Sequence, residues 1–201
     1  MTNIAIIYYS STGTNYQLAQ WAKEGASIDN VDVRLFRLNE TAPQAAVDSN
    51  PVWATHRSET SHIPVVTPKD LEWADGVIFS IPTRFGAPAS QYQAFIDTVG
   101  GLWAQGKLAN KVVTAMSSAQ NPHGGQETTI QRIYTSMYHW GAIIVTPGYL
   151  DDSIVKAGGN PYGTSATQGP DGKIVEDVAD AARFQAKRLA EIARVTQSLR
   201  K

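Results

Sequence analysis

Cysteine is absent from the sequence, which excludes disulfide bridges, thiolate metal ligands and every mechanism that needs a thiolate nucleophile. An excess of charge is absent too, because 17 Lys and Arg residues stand against 18 Asp and Glu residues and leave a formal net charge of -1. Such a chain has no diffuse electrostatic attraction for nucleic acid or for an anionic membrane surface. We therefore expect partners to be recognised at a local site, and we expect no nucleic acid among them.

Long apolar runs are missing as well. The first run ends at Tyr9, which makes it too short for the apolar region of a signal peptide, and no basic residues precede it. No stretch approaches the roughly 18 apolar residues that a helix needs to cross a bilayer. Together with the absence of cysteine, this predicts a cytoplasmic protein without membrane insertion. The four histidines show neither H-x-x-x-H nor H-E-x-x-H spacing, so no metal site is expected.

Short apolar runs are present and predict strands. Four of them are apolar over consecutive residues, as strands buried on both faces are, and they cover residues 4–9, 77–81, 112–116 and 143–145. A fifth segment alternates Val31, Val33 and Leu35 with charged residues, which is typical of a half-covered edge strand. Helices are predicted over residues 14–27, 88–99, 126–140 and 175–199. The alternation of strands with helices predicts a doubly wound α/β domain with a parallel sheet and helices on both faces.

Two segments are long for connections between these elements. Residues 41–70 contain several prolines, and residues 148–173 are rich in Gly, Asp and Pro. We find no internal repeat and predict a single domain over residues 1–201 in which both segments are long loops. Loops longer than about 12 to 15 residues are uncommon and are usually functional or disordered. Subunit contacts, a cover over an active site and a plain surface excursion are the alternatives for both segments.

The segment after the first strand is rich in hydroxyl groups and leads directly into a helix. It reads Ser10, Ser11, Thr12, Gly13, Thr14 and Asn15. Hydroxyls and backbone N–H groups at a helix N-terminus bind anions, and a glycine lets the backbone approach closely. The loop has no lysine and no G-x-G-x-x-G, which argues against a nucleoside triphosphate and against a dinucleotide pyrophosphate. A phosphate monoester fits best, and the alternative is a helix N-cap with a tight turn.

Polar and aromatic residues also follow the third and fourth strands. Thr83, Arg84 and Phe85 stand where a flat heteroaromatic ligand needs a stacking ring, a guanidinium and backbone donors. Residues 117–126 offer small, polar and flexible edges to the same crevice. In a doubly wound sheet the ligand lies beyond the carboxyl ends of the strands, so these loops and the first one meet. Ordinary packing for Phe85 and a surface ion pair for Arg84 are the alternatives.

Taken in order, five short motifs resemble the WrbA-type NAD(P)H:quinone oxidoreductases, a flavodoxin-like family, over essentially the whole chain. The motifs are Tyr8-Tyr9-Ser10, Pro82-Thr83-Arg84-Phe85-Gly86, Gly100-Gly101-Leu102-Trp103, Gly124-Gly125-Gln126-Glu127 and Pro161-Tyr162-Gly163. The resemblance implies a flavodoxin-like five-stranded parallel sheet in the order 2-1-3-4-5. It also implies one FMN per subunit, NADH or NADPH as electron donor, and a homotetramer.

The same resemblance implies roles for individual residues. The FMN phosphate would be held by Ser10, Ser11, Thr12, Gly13, Thr14 and Asn15, the ring and ribityl chain by Thr83, Arg84 and Phe85, and the ring edge by Ser118, Ala119, Gln120, Asn121 and Gly124. Thr12 would also contact the nicotinamide nucleotide, and Trp103 would help to form the quinone site. His139 would contact the flavin from a neighbouring subunit and is a candidate proton donor to the quinone. A structural histidine and a packing tryptophan are the alternatives, and the remaining tryptophans are interpreted as packing residues: Trp21, Trp53, Trp73 and Trp140.

These features predict an enzyme that reduces quinones to hydroquinones by two electrons, with hydride transfer from NADH or NADPH to flavin N5. Nicotinamide and quinone would use one pocket alternately, which predicts ping-pong kinetics. The alternative from another class is a flavodoxin-like carrier of single electrons between protein partners, although such carriers are usually acidic and shorter. An accessory protein with a flavin fold and little turnover is a third alternative.

Overall fold

A parallel β-sheet lies at the centre of the computed structural model, which describes residues 1–200. In chain order the strands are β1 (Thr2–Tyr8), β2 (Val31–Arg37), β3 (Gly76–Ser80), β4 (Thr83–Arg84), β5 (Ala87–Pro88), β6 (Val112–Ala119), β7 (Ile143–Ile144) and β8 (Ser165–Thr167). Five of them form a parallel sheet in the order β2-β1-β3-β6-β7, and β8 pairs with the carboxyl half of β6. Strands β4 and β5 form a separate antiparallel hairpin. The predicted order of the sheet is therefore confirmed.

Nine α-helices connect or follow the strands within residues 1–200. They are α1 (Thr14–Ala26), α2 (Gln44–Asp48), α3 (Pro51–Glu59), α4 (Pro68–Trp73), α5 (Ser90–Ile96), α6 (Gly100–Ala104), α7 (Gln126–Trp140), α8 (Asp152–Lys156) and α9 (Ala179–Val195). The helices predicted over residues 14–27 and 126–140 agree with α1 and α7. The last predicted helix starts too early, because Val175 N–H donates to the Thr167 carbonyl at 3.0 Å and Thr167 N–H donates to the Glu176 carboxylate at 2.7 Å. The segment before Ala179 is therefore tied to β8. The helix predicted over residues 88–99 is likewise shorter, since α5 gives way to a 3₁₀ turn at Asp97.

The central strands are buried on both faces because they are apolar at successive positions. In β1, Ile4 and Ile6 belong to the apolar layer under α1 and α9, and Ala5 and Ile7 belong to the layer under α5 and α7. All four side chains are fully buried. Burial of an Ile side chain contributes about 1.5 to 3 kcal/mol relative to exposure, so the two layers hold the sheet firmly beneath its carboxyl edge.

The two segments predicted as long loops contain secondary structure. Residues 41–70 include α2, α3 and the start of α4, and residues 148–173 include α8 and β8. Helix α3 begins after Asn50, whose side chain accepts hydrogen bonds from the N–H groups of Val52 and Trp53, and Pro51 occupies its first position. Such short elements do not show a hydrophobic period, which is why the sequence pattern predicted loops there.

The carboxyl ends of β1, β3 and β6 lie at one edge of the sheet, because these parallel neighbours run in the same direction. The loops that follow them converge there. Helices α1 and α7 begin at this edge after Gly13 and Gly125, whose φ angles of 100° and 94° suit glycine. Within residues 1–200, no helix is long and apolar enough to span a bilayer.

Candidate functional site

The loops at the carboxyl edge enclose an open cleft of about 480 Å³. All of the residues predicted to bind FMN line this cleft, except Gly13 and His139. The volume lies within the range of about 300–1,000 Å³ that small-molecule sites occupy. The described lining residues offer hydroxyl, amide and guanidinium groups and include no carboxylate, which suits an anionic ligand. Contacts between these residues and a cofactor stay a prediction.

The loop after β1 directs hydrogen-bond donors at the cleft. Gly13 N–H donates to Ser10 Oγ at 2.9 Å, which closes the turn into α1. The N–H groups in the first turn of α1 have no intrahelical acceptor and lie at the positive end of the helix dipole. The Thr14 hydroxyl is buried and has no hydrogen-bond partner among residues 1–200. Because a buried hydroxyl without a partner is destabilising, this end of the cleft fits an anion that would accept from it.

Asn15 anchors this loop to the sheet. Its Nδ2 donates to Ser80 Oγ at 3.1 Å, and the Ser80 hydroxyl donates to the Asn15 backbone carbonyl at 2.8 Å. The Ser118 hydroxyl donates to Asn15 Oδ1. All three residues are buried, so the network joins α1 to β3 and β6. The side chain of Asn15 is occupied inside the protein, and its backbone N–H is the group left for an anion.

The β4–β5 hairpin holds an aromatic ring in a strained position. Its central residues, Phe85 and Gly86, have φ angles of 52° and 76°, as in a type I′ turn. Phenylalanine rarely adopts this left-handed conformation, and here its side chain is fully exposed. Gly86 N–H donates to Thr83 Oγ1 at 3.1 Å, and the Thr129 hydroxyl donates to the same oxygen at 2.8 Å. These bonds fix the hairpin to α7, and strain of this kind at a cleft indicates a functional role.

The loop after β6 folds tightly against this hairpin. The Asn121 carbonyl accepts from Gln126 Nε2 at 2.8 Å and from Gly124 N–H at 3.1 Å. A Cβ placed on Gly125 would lie 2.8 Å from Cα of Gly86, so the approach of the two loops requires glycine. The hairpin and the loop therefore form one continuous wall of the cleft.

A half-buried carboxylate supports the end of β1, directly before the loop that leads into α1. Glu40 accepts from the Tyr9 hydroxyl at 3.0 Å, from Gln91 Nε2 at 2.8 Å, and from the backbone N–H groups of Thr41 and Ala42. Burial disfavours the charge of Glu40, but these hydrogen bonds outweigh it and hold its pKa below the usual range. Burial and the charge of Glu40 raise the pKa of Tyr9, so its hydroxyl stays protonated and donates.

Comparison with known proteins identifies the family. A sequence profile described as NADPH-dependent FMN reductase matches residues 2–153. The chain belongs to this family. A protein of Deinococcus radiodurans called NAD(P)H dehydrogenase (quinone) is 49% identical over 189 residues, which cover 94% of each chain. A protein of the same name from Geotalea daltonii is 37% identical over 197 residues, covering 94% of this chain and 96% of the relative.

Solved structures confirm the fold of this FMN reductase family member. A WrbA-like flavodoxin from Agrobacterium tumefaciens aligns with a TM-score of 0.66 at 21% identity, and the alignment covers 97% of this chain and 99% of the other. The flavodoxin-like fold and the resemblance predicted from the motifs are therefore confirmed. FMN, the predicted cofactor, agrees with the family and fits the observed donors, since Thr14 offers an unpaired hydroxyl and no carboxylate among the described residues lines the cleft.

Apart from Pro82, which belongs to one of the sequence motifs, three further residues line the cleft and are not predicted by sequence. They are Asn50, Trp53 and Gln168. Trp53, interpreted above as a packing residue, is partly exposed and lies at the cleft, because α3 carries it there. Gln168 follows β8; its Oε1 accepts from the Thr12 hydroxyl at 3.1 Å. Trp53 could have been suspected as a cleft residue because it is an aromatic residue in a polar, proline-rich segment. No local feature of the sequence marks Asn50 or Gln168.

Trp103 and His139 lie together, but at the opposite end of α7 from the cleft. Trp103 Nε1 donates to the backbone carbonyl of His139 at 2.9 Å, and the Trp103 side chain is exposed. His139 follows Gln126, the first residue of α7, by thirteen positions, which corresponds to about 20 Å along a helix. Neither residue therefore reaches the cleft of its own chain, and their predicted contacts need a second copy.

Proposed function

We propose that this protein is an FMN-dependent NAD(P)H:quinone oxidoreductase that reduces quinones to hydroquinones by two electrons. The observation that carries the proposal is the cleft at the carboxyl edge, where a helix N-terminus with the unpaired Thr14 hydroxyl faces the strained Phe85 hairpin. Two relatives that match almost the whole chain are called NAD(P)H dehydrogenase (quinone), which supports the substrate class.

The phosphate end of the proposed site uses neutral donors. The hydroxyls of Ser11 and Thr14 and the N–H groups of the first turn of α1 would hold the FMN phosphate. The Thr12 hydroxyl would join them by turning away from Gln168 Oε1, to which it donates here. Ser10 Oγ accepts from Gly13 N–H, which shapes the turn and leaves the proton of the Ser10 hydroxyl available for the phosphate. Arg84 Nη2 lies 3.4 Å from Ser11 Oγ, so its positive charge stands at the side of this loop. A dianion is therefore compensated by dipoles and one nearby guanidinium.

The ring end of the proposed site is the wall formed by the hairpin and the loop after β6. Thr83, Arg84 and Phe85 would contact the ring and ribityl chain, and residues 118–124 would contact the ring edge. Bound FMN would supply hydride acceptance at N5 from NADH or NADPH and two-electron return to a quinone. The role of the protein itself is to orient NAD(P)H and the quinone, one after the other, over one open cleft.

We also propose that a second copy of the chain completes the site. Several large apolar side chains are exposed in one chain: Phe85, Trp103, Tyr138, Tyr149, Leu150 and Tyr162. Exposed apolar groups of this size are typical of interfaces. In a homotetramer, Trp103 and His139 of one subunit would lie over the cleft of another. His139 would then be able to polarise the quinone and donate a proton to it.

An absorption experiment tests the proposed function. Purified protein is incubated with FMN, desalted, and treated without oxygen first with NADH and then with benzoquinone. We expect retained flavin bands that bleach with NADH and return with benzoquinone. Initial rates with both substrates varied should give parallel double-reciprocal lines, because the substrates alternate in one cleft.

Three other results would overturn the proposal in different ways. Retained flavin that does not respond to NADH, with a stable one-electron form on titration, would indicate an electron carrier. A protein that retains no flavin would contradict the assignment of the loop after β1. Intersecting rate lines would contradict alternation in one cleft.

A further inference from the structure

Helix α3 packs against the phosphate loop with one face. Asn50 and Trp53 line the cleft, and His56 follows at the same spacing of three residues, so all three share one side of the helix. Trp53 and His56 are partly buried, whereas Val52 and Thr55 are exposed. The face of α3 that contains His56 is therefore the one that meets the loop.

The imidazole of His56 lies directly beside Gly13. A Cβ placed on Gly13 would lie 3.8 Å from Nδ1 of His56, and this is the sole atom that it would meet within 4 Å among the described residues. The ring also packs against Tyr16 of α1, with centroids 5.5 Å apart and planes inclined by 58°. The other ring nitrogen, Nε2, is buried and has no hydrogen-bond partner in the described part of the chain. The ring is thus held with its Nδ1 edge towards the phosphate loop.

The surroundings of His56 decide where its proton resides. A proton on Nε2 would be a buried donor without an acceptor, so the neutral ring carries its proton on Nδ1. Burial lowers the pKa of His56, and the Glu59 carboxylate on the same helix acts in the opposite direction. From α1 the titratable group that faces the ring is Tyr16, and behind it lies Tyr8 of β1, with ring centroids 5.4 Å apart. The nitrogen beside the loop is therefore a donor in both protonation states.

We propose that His56 is an additional phosphate-binding residue of the FMN site, with its Nδ1–H directed at the loop after β1 and at the phosphate held there. The inference rests on the proposed function, because it places the FMN phosphate in that loop. The loop itself has no lysine or arginine. The neighbouring Arg57 donates to Gln44 Oε1 at 3.2 Å and lines a small cavity with Ser10, at the start of the loop. His56 is consequently the base that adjoins the centre of the loop.

Binding measurements with and without the phosphate group test this role. The apoprotein is titrated with FMN and with riboflavin, which lacks the phosphate, and flavin fluorescence gives both dissociation constants. His56→Phe keeps an aromatic ring against Tyr16 but removes the donor, so we expect FMN affinity to fall about tenfold and riboflavin affinity to stay within about twofold. His56→Asn places an amide near the position of Nδ1 and should recover most of the FMN affinity. His62→Phe is the matched control, since His62 is exposed and contacts the Glu59 carbonyl.

A second measurement does not depend on any variant being well folded. The His56 ring resonances of the wild-type apoprotein are titrated with pH by NMR, alone and with FMN or inorganic phosphate. A bound phosphate beside the ring stabilises its charged form, so we expect the pKa of His56 to rise by about one unit with FMN. Riboflavin should leave it unchanged.

The outcomes separate this inference from the proposed function. Equal losses of FMN and riboflavin affinity in His56→Phe would show that His56 only packs α3 in place, and an unchanged FMN affinity would overturn the role altogether. An unshifted His56 titration in the FMN complex would overturn it as well. If the wild-type protein binds neither flavin, the proposed function itself fails, and this inference fails with it.

Discussion

Lys111 is a single residue whose charge opposes folding. Its side chain is 3% exposed, and Nζ donates to the backbone carbonyls of Glu72 and Ala74 behind α4. Burial lowers the pKa of Lys111 from 10.5 to about 8, and the nearby Asp75 carboxylate counteracts this only in part. A polar side chain stands here because its amine donates to backbone carbonyls at the end of α4, and not because it takes part in the cleft.

The stability of the protein should therefore rise with pH above neutrality. Above a pH of about 8 the folded chain has released the Lys111 proton, whereas the unfolded chain keeps it up to about 10.5. Because the unfolded state then binds more protons, the free energy of unfolding increases, by about 2 kcal/mol over one and a half pH units. Urea unfolding between pH 8 and about 9.5, below the range in which tyrosines ionise, measures this slope.

Lys111→Met is the control for this prediction. The variant has no titrating amine at this position, so its slope over the same window should be smaller by the contribution of Lys111. Equal slopes in the two proteins would contradict the assignment.

Phe85 shows how much a local pattern reveals at the residue scale. Its place after the third strand was enough to predict it as a cleft residue. Its positive φ and complete exposure come from the pairing of β4 with β5 and from the bond between Thr129 and Thr83, which lie far apart in sequence. Trp53 is interpreted as a packing residue from the sequence because no local pattern indicates that α3 lies beside the cleft.

At the scale of elements, the segment from Asn160 to Thr167 is held against β6 by buried polar side chains. Gln185 of α9 accepts from the N–H and the hydroxyl of Thr164 at 2.7 and 2.8 Å, and donates to the Ala115 carbonyl at 2.9 Å. The Tyr134 hydroxyl donates to the Tyr162 carbonyl at 2.7 Å. These contacts place β8, and with it Gln168, at the cleft.

Gly163 should be essential for this docking. A Cβ placed on Gly163 would lie 2.0 Å from the Ala115 carbonyl oxygen, so Gly163→Ala must push the segment away from β6. We expect the free energy of unfolding to fall by about 3 kcal/mol, measured by urea titration.

Gly100→Ala is the matched control, because nothing lies within 4 Å of its Cβ position and the residue is helical. That variant should be neutral or up to about 1 kcal/mol more stable. Similar effects of both substitutions would argue against a close contact at Gly163.

At the scale of the whole molecule, one chain separates its cleft from Trp103 and His139. The two residues and the cleft lie at opposite ends of α7. An interface that completes the site of a neighbouring subunit requires the two residues to lie close together and Trp103 to be exposed. Both conditions are met.

Light scattering should therefore give a multiple of the 21.8 kDa chain mass, four in the proposed assembly. Trp103→Ala and Thr14→Val should each lose quinone reduction, because one removes the proposed quinone contact and the other a phosphate donor. Co-expression of the two variants should recover part of the turnover, since some sites would combine an intact loop with an intact Trp103 from another chain. A monomer mass, or mixed variants as inactive as the separate ones, would contradict a shared site.

The sequence by itself determined the buried strands and the three loops of the cleft, because apolar runs and loop chemistry are local properties, and the resemblance of its motifs supplied the family and the sheet order. Tertiary structure alone decided the places of His56, Trp53 and Gln168, and it separated His139 from the cleft of its own chain. The physical reason is that strands and helix starts are set by neighbouring residues, whereas α3 and β8 reach the cleft through packing with residues distant along the chain. A pattern of neighbours contains no information on that packing.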